Sequence, residues 1–281
     1  MKEIALTTAI AVLLFASACQ RAAEAEPERR AIIAATAPPA QPSAESSPAI
    51  PNLQKEILDD RHKTSSSPLA SFDFKNFTYP LPRGWQNPDG SDLTLVDGKV
   101  EPVSKFVDDD MADEEKIEAR ASRRIGMSYV TTKYLDVTAD GVDEAIVILK
   151  VETTGTAIPQ LVYVYEWKDE KPNLLWNFRT GDRADGGLKD IRVEDGRVVV
   201  ELYGQDRFLL GQTETGKITG DEEQLCCPTY FTRTTYKWNG KSFLMDRDRW
   251  THSVADPAAT PLRNHGDVVN AAANSKVARK K

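Results

Sequence analysis

The sequence predicts a mainly β protein: a single antiparallel sandwich, barrel or irregular propeller-like domain with one short helix. Three observations predict it. Asp97-Gly98, Asp195-Gly196 and Asn239-Gly240 each separate two apolar or alternating runs, the mark of a tight hairpin. The run Ala145-Ile-Val-Ile-Leu149 is entered through the acidic turn Asp140-Gly141 and shows no polar alternation, which suits a strand covered on both faces. Every Phe, Trp and Tyr except Phe15 lies between Phe72 and Trp250. Aromatics supply much of a core's buried area, so that interval is the expected body, long enough for one domain.

Residues 1–18 read as an export signal. Lys2 and the amino terminus make a short positive start, and Ile4 to Phe15 is an apolar stretch too short for a stable membrane span. Ala16-Ser17-Ala18-Cys19 fits an ordinary Ala-x-Ala cleavage site and also resembles a bacterial lipobox, with Ala16 standing where that motif usually carries Leu. Both readings cut after Ala18. The chain has three cysteines, an odd number for a secreted protein. Lipidation of Cys19 removes the odd thiol, so Cys19 is the expected lipid attachment site and the membrane the expected partner.

Residues 19–70 are expected to form a disordered tether. They hold seven of the 16 prolines among Ala, Ser and Glu, with no aromatic residue. Such a segment cannot bury enough surface to offset its ordering entropy, and Pro-rich chain is stiff and extended. Asn52 to His62 carries the one short amphipathic pattern within it. The body is expected over 71–252 and a disordered tail with a basic end over 253–281.

Within the body, strands are expected at Leu93–Val96 and Lys99–Val103, then a helix from Asp108 to Arg124. Acidic residues crowd that helix's start and Arg120, Arg123 and Arg124 its end, matching the helix dipole, with Gly126 as the stop. Strands follow at 127–137, 144–151, 161–167, 174–178, 188–193, 198–203, 230–238 and 242–246.

Three constellations carry candidate chemistry. Asp136, Asp140 and Glu144 surround Gly141 at the alternate spacing of a calcium loop, although Thr138 replaces a second acidic ligand. Their alternative role is a turn whose carboxylates accept backbone N–H groups. Thr180-Gly-Asp-Arg-Ala-Asp-Gly-Gly187 offers Asp182, Arg183 and Asp185 as a ligand-binding loop, with Arg183 as an anion clamp. Its alternative is a strand connection closed by an Arg–Asp pair. Cys226-Cys227-Pro228 offers a vicinal disulfide, since neighbouring Cα atoms about 3.8 Å apart fall short of the usual disulfide range and force a special turn.

The histidines, His62, His252 and His265, all fall outside the core interval. That argues against a Ser-His-Asp or Cys-His nucleophile and a His-based zinc centre. Asp143, Glu144, Glu152, Glu166 and Glu201 remain as carboxylates for an acid–base pair. A net charge of -7 argues against nucleic acid, which selects a basic face.

The blocks from Tyr134 to Leu149, Thr180 to Leu188, Val198 to Gly204 and Cys226 to Trp238 resemble a family of uncharacterised bacterial exported proteins. There an Asp-Gly turn with Asp-Glu-Ala-Ile-Val, a Gly-Asp-Arg-Ala-Asp-Gly-Gly loop and a Cys-Cys-Pro segment occur in this order. The resemblance covers about half of the chain. It implies export and a β-rich body, and assigns no activity, cofactor or catalytic residue.

The expectation is therefore a non-catalytic binding or scaffolding module of the bacterial envelope. It is exported, membrane-anchored in the periplasm or on the cell surface, and meets an envelope protein or polysaccharide through the loops around Asp140, Arg183 and Cys226. The rival readings are a carboxylate-dependent hydrolase or carbohydrate-active enzyme, and a calcium-stabilised β module.

Overall fold

The computed structural model describes residues 52–105, 107–152, 159–215, 227–246 and 248–264, all within one unit of the chain. In chain order the elements are β1 (Thr78–Pro80), β2 (Asp92–Thr94), β3 (Lys99–Val100), α1 (Asp113–Ala121), β4 (Gly126–Leu135), β5 (Glu144–Glu152), β6 (Gln160–Lys168) and β7 (Lys171–Arg179). Then come β8 (Leu188–Glu194), β9 (Arg197–Tyr203), β10 (Phe208–Leu210), β11 (Thr213–Thr215), β12 (Tyr230–Trp238), β13 (Phe243–Met245), β14 (Arg249–Ser253) and β15 (Leu262–Asn264).

Among the described residues they build an irregular β-sandwich with one α-helix and no closed barrel. One sheet runs β10-β11-β7-β6-β5-β4-β3 and the other β15-β14-β12-β9-β8, with β13 paired on β12; β1 and β2 form a separate ribbon. Every pairing is antiparallel except β11 with β7.

β5 explains the layering. Successive strand residues face opposite sides, and here both sides are apolar. Ile146 and Ile148 point between the two sheets, joining Val162, Val164, Trp176 and Phe178 of the first and Ile191, Val198, Val200 and Leu202 of the second. Ala145, Val147, Leu149 and Val151 point outward with Leu161, Tyr163 and Tyr165. That outer face is covered by chain on the N-terminal side of β3: Leu69, Phe74, Tyr79, Leu81, Leu93 and Leu95. Tyr79 donates to the Phe74 carbonyl (2.6 Å) and Tyr163 to the Pro80 carbonyl (2.8 Å), so the polar tips of these rings are satisfied. The apolar run is thus a strand covered on both faces, as its composition predicts.

The turns follow their residues. Asp97-Gly98 and Asp195-Gly196 take positive φ at both positions, the backbone that matches strand twist in a two-residue hairpin. Asp169 and Glu170 between β6 and β7 do the same without glycine, and no turn signal marks them in the sequence.

Three boundaries correct the expectations. The helix is Asp113–Ala121 rather than 108–124, because Ala112 is extended; Glu115 accepts from the Ala112 N–H (3.3 Å), and Arg124 already pairs with Val103. Residues 52–70, expected as tether, dock on the body. Ile57 is fully buried in the inter-sheet core, and Tyr134 donates its N–H to the His62 carbonyl (2.8 Å). A stretch without aromatics still docks where it closes an open edge. At the other end β15 pairs with β14 beyond the expected limit of 252. Among the described residues no helix is long and apolar enough to cross a membrane.

Candidate functional site

The Asp136–Glu144 turn uses its carboxylates on its own backbone. Asp136 accepts from the Asp140 and Gly141 N–H groups (both 3.0 Å), and Asp140 from Val142 N–H (2.9 Å). Glu144, 2% exposed, accepts from Val137 N–H (2.8 Å), Thr138 N–H (3.2 Å) and the Thr138 hydroxyl (3.3 Å). Burial pushes its carboxyl up to about 7 against those donors. Among the described residues no group of three or more His, Cys, Asp or Glu side chains is placed to hold a metal ion.

The Gly-Asp-Arg-Ala-Asp-Gly-Gly loop is closed on itself. Asp182 and Asp185 exchange both backbone hydrogen bonds, Gly181 N–H donates to the Gly186 carbonyl, and Gly187 N–H donates to the Arg183 carbonyl (all 2.7–2.9 Å). A Cβ on Gly181 would lie 2.1 Å from the Asp185 oxygen, and one on Gly187 2.3 Å from the Arg183 oxygen. Close backbone approach accounts for these glycines. Arg183 turns to its neighbour Asp182 (3.3 Å), while Asp185 pairs with Arg207, which also holds Glu214 at 3.0 Å. The loop is thereby fastened to β11.

The three expected contact loops do not form one set. Leu135 pairs with Glu144 at one end of the large sheet, and Lys150 with Gln160 near the other, where Thr180 N–H donates to the Gln160 carbonyl (2.9 Å). The Asp140 turn and the Arg183 loop therefore lie about 20 Å apart along β5. The Asp140 turn instead adjoins the β8–β9 hairpin, where a Cβ on Gly196 would sit 3.6 Å from Ala139. Cys19 and Cys226 lie outside the described residues; Cys227 is exposed.

The carboxylates named for acid–base work each have a partner. Asp143 accepts from Ser65 (2.6 Å), Glu152 from Ser128 (2.6 Å) and Glu166 from Asn173 (2.6 Å). Glu201, on the outer side of the small sheet, is held by Lys189 (2.7 Å), Arg192 (3.0 Å) and Arg233 (2.7 Å). Burial raises its carboxyl, but those cations leave it below the usual range. His252 stacks on Phe231, ring centres 5.0 Å apart, and burial together with Arg233 lowers its pKa.

What the Arg183 end does offer is a pair of clefts. One, of about 300 Å³, is lined by Pro82, Arg83, Trp85, Arg179 and the β10–β11 turn. The other, of about 540 Å³, is lined by Trp85, Gln86, Pro102, Ser104, Arg123, Arg124 and Glu152. Trp85 alone lines both among the described residues. Its position is built by the turn Pro82-Arg83-Gly84-Trp85, closed by Trp85 N–H on the Pro82 carbonyl (2.9 Å) with Gly84 at φ 84°, which glycine adopts without strain. The buried Asn87 accepts from Ile125 N–H (2.8 Å) and so fastens this loop to the start of β4. Under the second cleft, Gly126 packs so tightly that a Cβ would lie 2.4 Å from the Pro102 nitrogen.

The Arg179 guanidinium lies 5.4 Å from the Trp85 ring centre, within cation–π range. Chemically the site is an aromatic plate edged by guanidinium groups, which suits oxyanions beside a flat or polar ring. Sequence reasoning missed it. Its signal, Arg83-Gly84-Trp85, places an aromatic beside a turn glycine rather than in an alternating run, but nothing local foretells Arg179 or Arg123 beside it.

No protein-family model, curated protein or solved structure matches the chain.

Proposed function

We propose that this chain is a non-catalytic binding module of the bacterial cell envelope, exported and held to the membrane by a lipid on Cys19. Its signal-like start, the small residues before Cys19 and the Pro-rich stretch that follows support export and tethering. The observation that carries the binding reading is Trp85, set on a fastened turn so that it lines two clefts edged by Arg83, Arg179 and Arg123. A rigid sheet buried on both faces is a suitable support for such a surface.

Two measurements test it. Metabolic labelling with a palmitate analogue should mark the wild-type chain and not Cys19→Ser; label on the variant would remove Cys19 as the anchor. Purified full chain should sediment with isolated envelope material, and Trp85→Ala should cut the bound fraction about tenfold. Equal sedimentation of both proteins would remove the cleft as the binding surface.

A further inference from the structure

We infer that the twin cleft takes an anionic glycan, a sugar chain carrying carboxylate or phosphate groups, laid across Trp85 with its charges on Arg83, Arg179 and Arg123. This rests on the reading of the cleft as the binding surface and adds the class of ligand.

Charge is the first reason. The chain carries a net -7, and Arg61, Arg124, Arg192, Arg207, Arg233 and Arg263 each pair with a carboxylate. Arg83, Arg123 and Arg179 make no ion pair among the described residues, and all three line the clefts that meet at Trp85. Three guanidinium groups without an ion pair, gathered around one aromatic and facing a single lining carboxylate, Glu152, that Lys150 and Ser128 already hold, form a local complement to negative charge. Nucleic acid selects a far larger basic face than three arginines.

The second reason is the state of the backbone. The carbonyl of Gly211 accepts from Trp176 Nε1 (3.0 Å), and that of Gln212 accepts from Arg179 N–H (3.0 Å). An extended peptide binds such a site chiefly by adding a strand to free backbone groups, and these acceptors are already engaged. Side chains that remain, a Trp face and guanidinium forks, suit sugar rings and their oxyanions.

Geometry is the third. A lone small anion needs one cleft and one or two arginines. Two clefts that share Trp85, with Arg83 and Arg179 in one and Arg123 in the other, match a chain with repeated charges.

The test is titration of the purified full chain, followed by Trp fluorescence and calorimetry, with four probes: a uronate polymer, a phosphate-bearing glycan, a neutral glycan and poly-glutamate. At least one anionic glycan should bind about tenfold tighter than the neutral one. Its affinity should weaken as salt rises from about 50 to 300 mM, and fall about tenfold in Arg179→Gln and in Arg123→Gln. These two exposed or half-buried positions keep the test sound should Trp85→Ala unfold. Which anionic glycan binds better distinguishes carboxylate from phosphate as the charged group.

Equal binding of the neutral glycan, indifferent to Arg179→Gln, would overturn the anionic assignment while leaving the binding surface in place. Poly-glutamate binding as tightly as either glycan would overturn the glycan. If no glycan binds below about 1 mM while envelope sedimentation still depends on Trp85, the ligand class is wrong and the surface stands. If that dependence is also missing, both fall.

Discussion

The ammonium group of Lys133 lies 3.0 Å from the Asp59 carboxylate and 2.7 Å from the Glu56 carbonyl. Lys133 is 1% exposed and faces the same side of the large sheet as its pair partner Ile146. Its counter-charge arrives from a segment that contains no aromatic residue. Residues 53–63 run along the edge left open between β8 and β4. Tyr203 donates to the Leu53 carbonyl (3.2 Å), Lys189 meets Glu56 (3.7 Å), and Lys63 meets Thr131.

A buried ammonium that loses its counter-charge is costly, but Asp59 is itself a quarter exposed and Lys133 keeps the Glu56 carbonyl, so Asp59→Ala should destabilise by about 1–3 kcal/mol in urea unfolding. Adding Lys133→Met should recover most of that loss, because an apolar side chain of similar volume needs no partner. Burial raises the Asp59 carboxyl, but Arg61 and Lys133 outweigh it and hold it down to about 2 against an ordinary 3.8. The stability it confers is then fully present above pH about 4 and lost as pH falls through about 2. Equal urea midpoints for wild type and Asp59→Ala would show that the segment does not brace the edge.

Glu144 has the opposite sign. Its folded carboxyl stands at about 7 against an ordinary 4.5, so the folded state binds more protons between those values. Stability contributed by this group falls as pH rises from about 4.5 to about 7. Glu144→Gln should flatten that slope in melting-temperature profiles while keeping acceptors for the Val137 and Thr138 N–H groups. Glu144→Ala should cost about 1–3 kcal/mol by leaving them unsatisfied. With Asp136, Asp140 and Glu144 all accepting backbone hydrogens, chelator should leave the melting temperature unchanged.

Glycines of the two acidic loops should respond differently to alanine. At Gly181 a Cβ meets the Asp185 oxygen at 2.1 Å, whereas at Gly141 nothing lies within 4 Å and only φ 89° opposes a side chain. Gly141→Ala should cost about 1–2 kcal/mol. Gly181→Ala should cost more and should also weaken ligand binding at Arg179, two residues away. Equal melting temperatures for the two variants would contradict the packing of the Gly181 loop.

Much of the frame was legible in the sequence because it rests on local signals. Period-two alternation, Asp-Gly turns and the unbroken run at Ala145–Leu149 name the longer strands of both sheets. What escaped is long-range. β1, β10, β11, β14 and β15 span three to five residues each, too short to show a period. Residues 52–70 look like linker because their stabilising contacts lie on strands distant in sequence, and their buried apolar anchors, Ile57 and Leu69, are twelve residues apart with no period between them. The cleft at Trp85 escaped for the same reason. Conspicuous motifs at Asp140 and Arg183 are conspicuous because tight turns need Asp and Gly, while Trp85, Arg179 and Arg123 come together only through strand register.

Hydrogen exchange of the full chain with and without isolated envelope glycan tests most directly where the protein binds. Added protection is predicted at residues 82–87, 123–125 and 210–213 around Trp85 and Arg179, and absent from Arg179→Gln. Protection confined to the turn at residues 136–143, or identical in that variant, would contradict it.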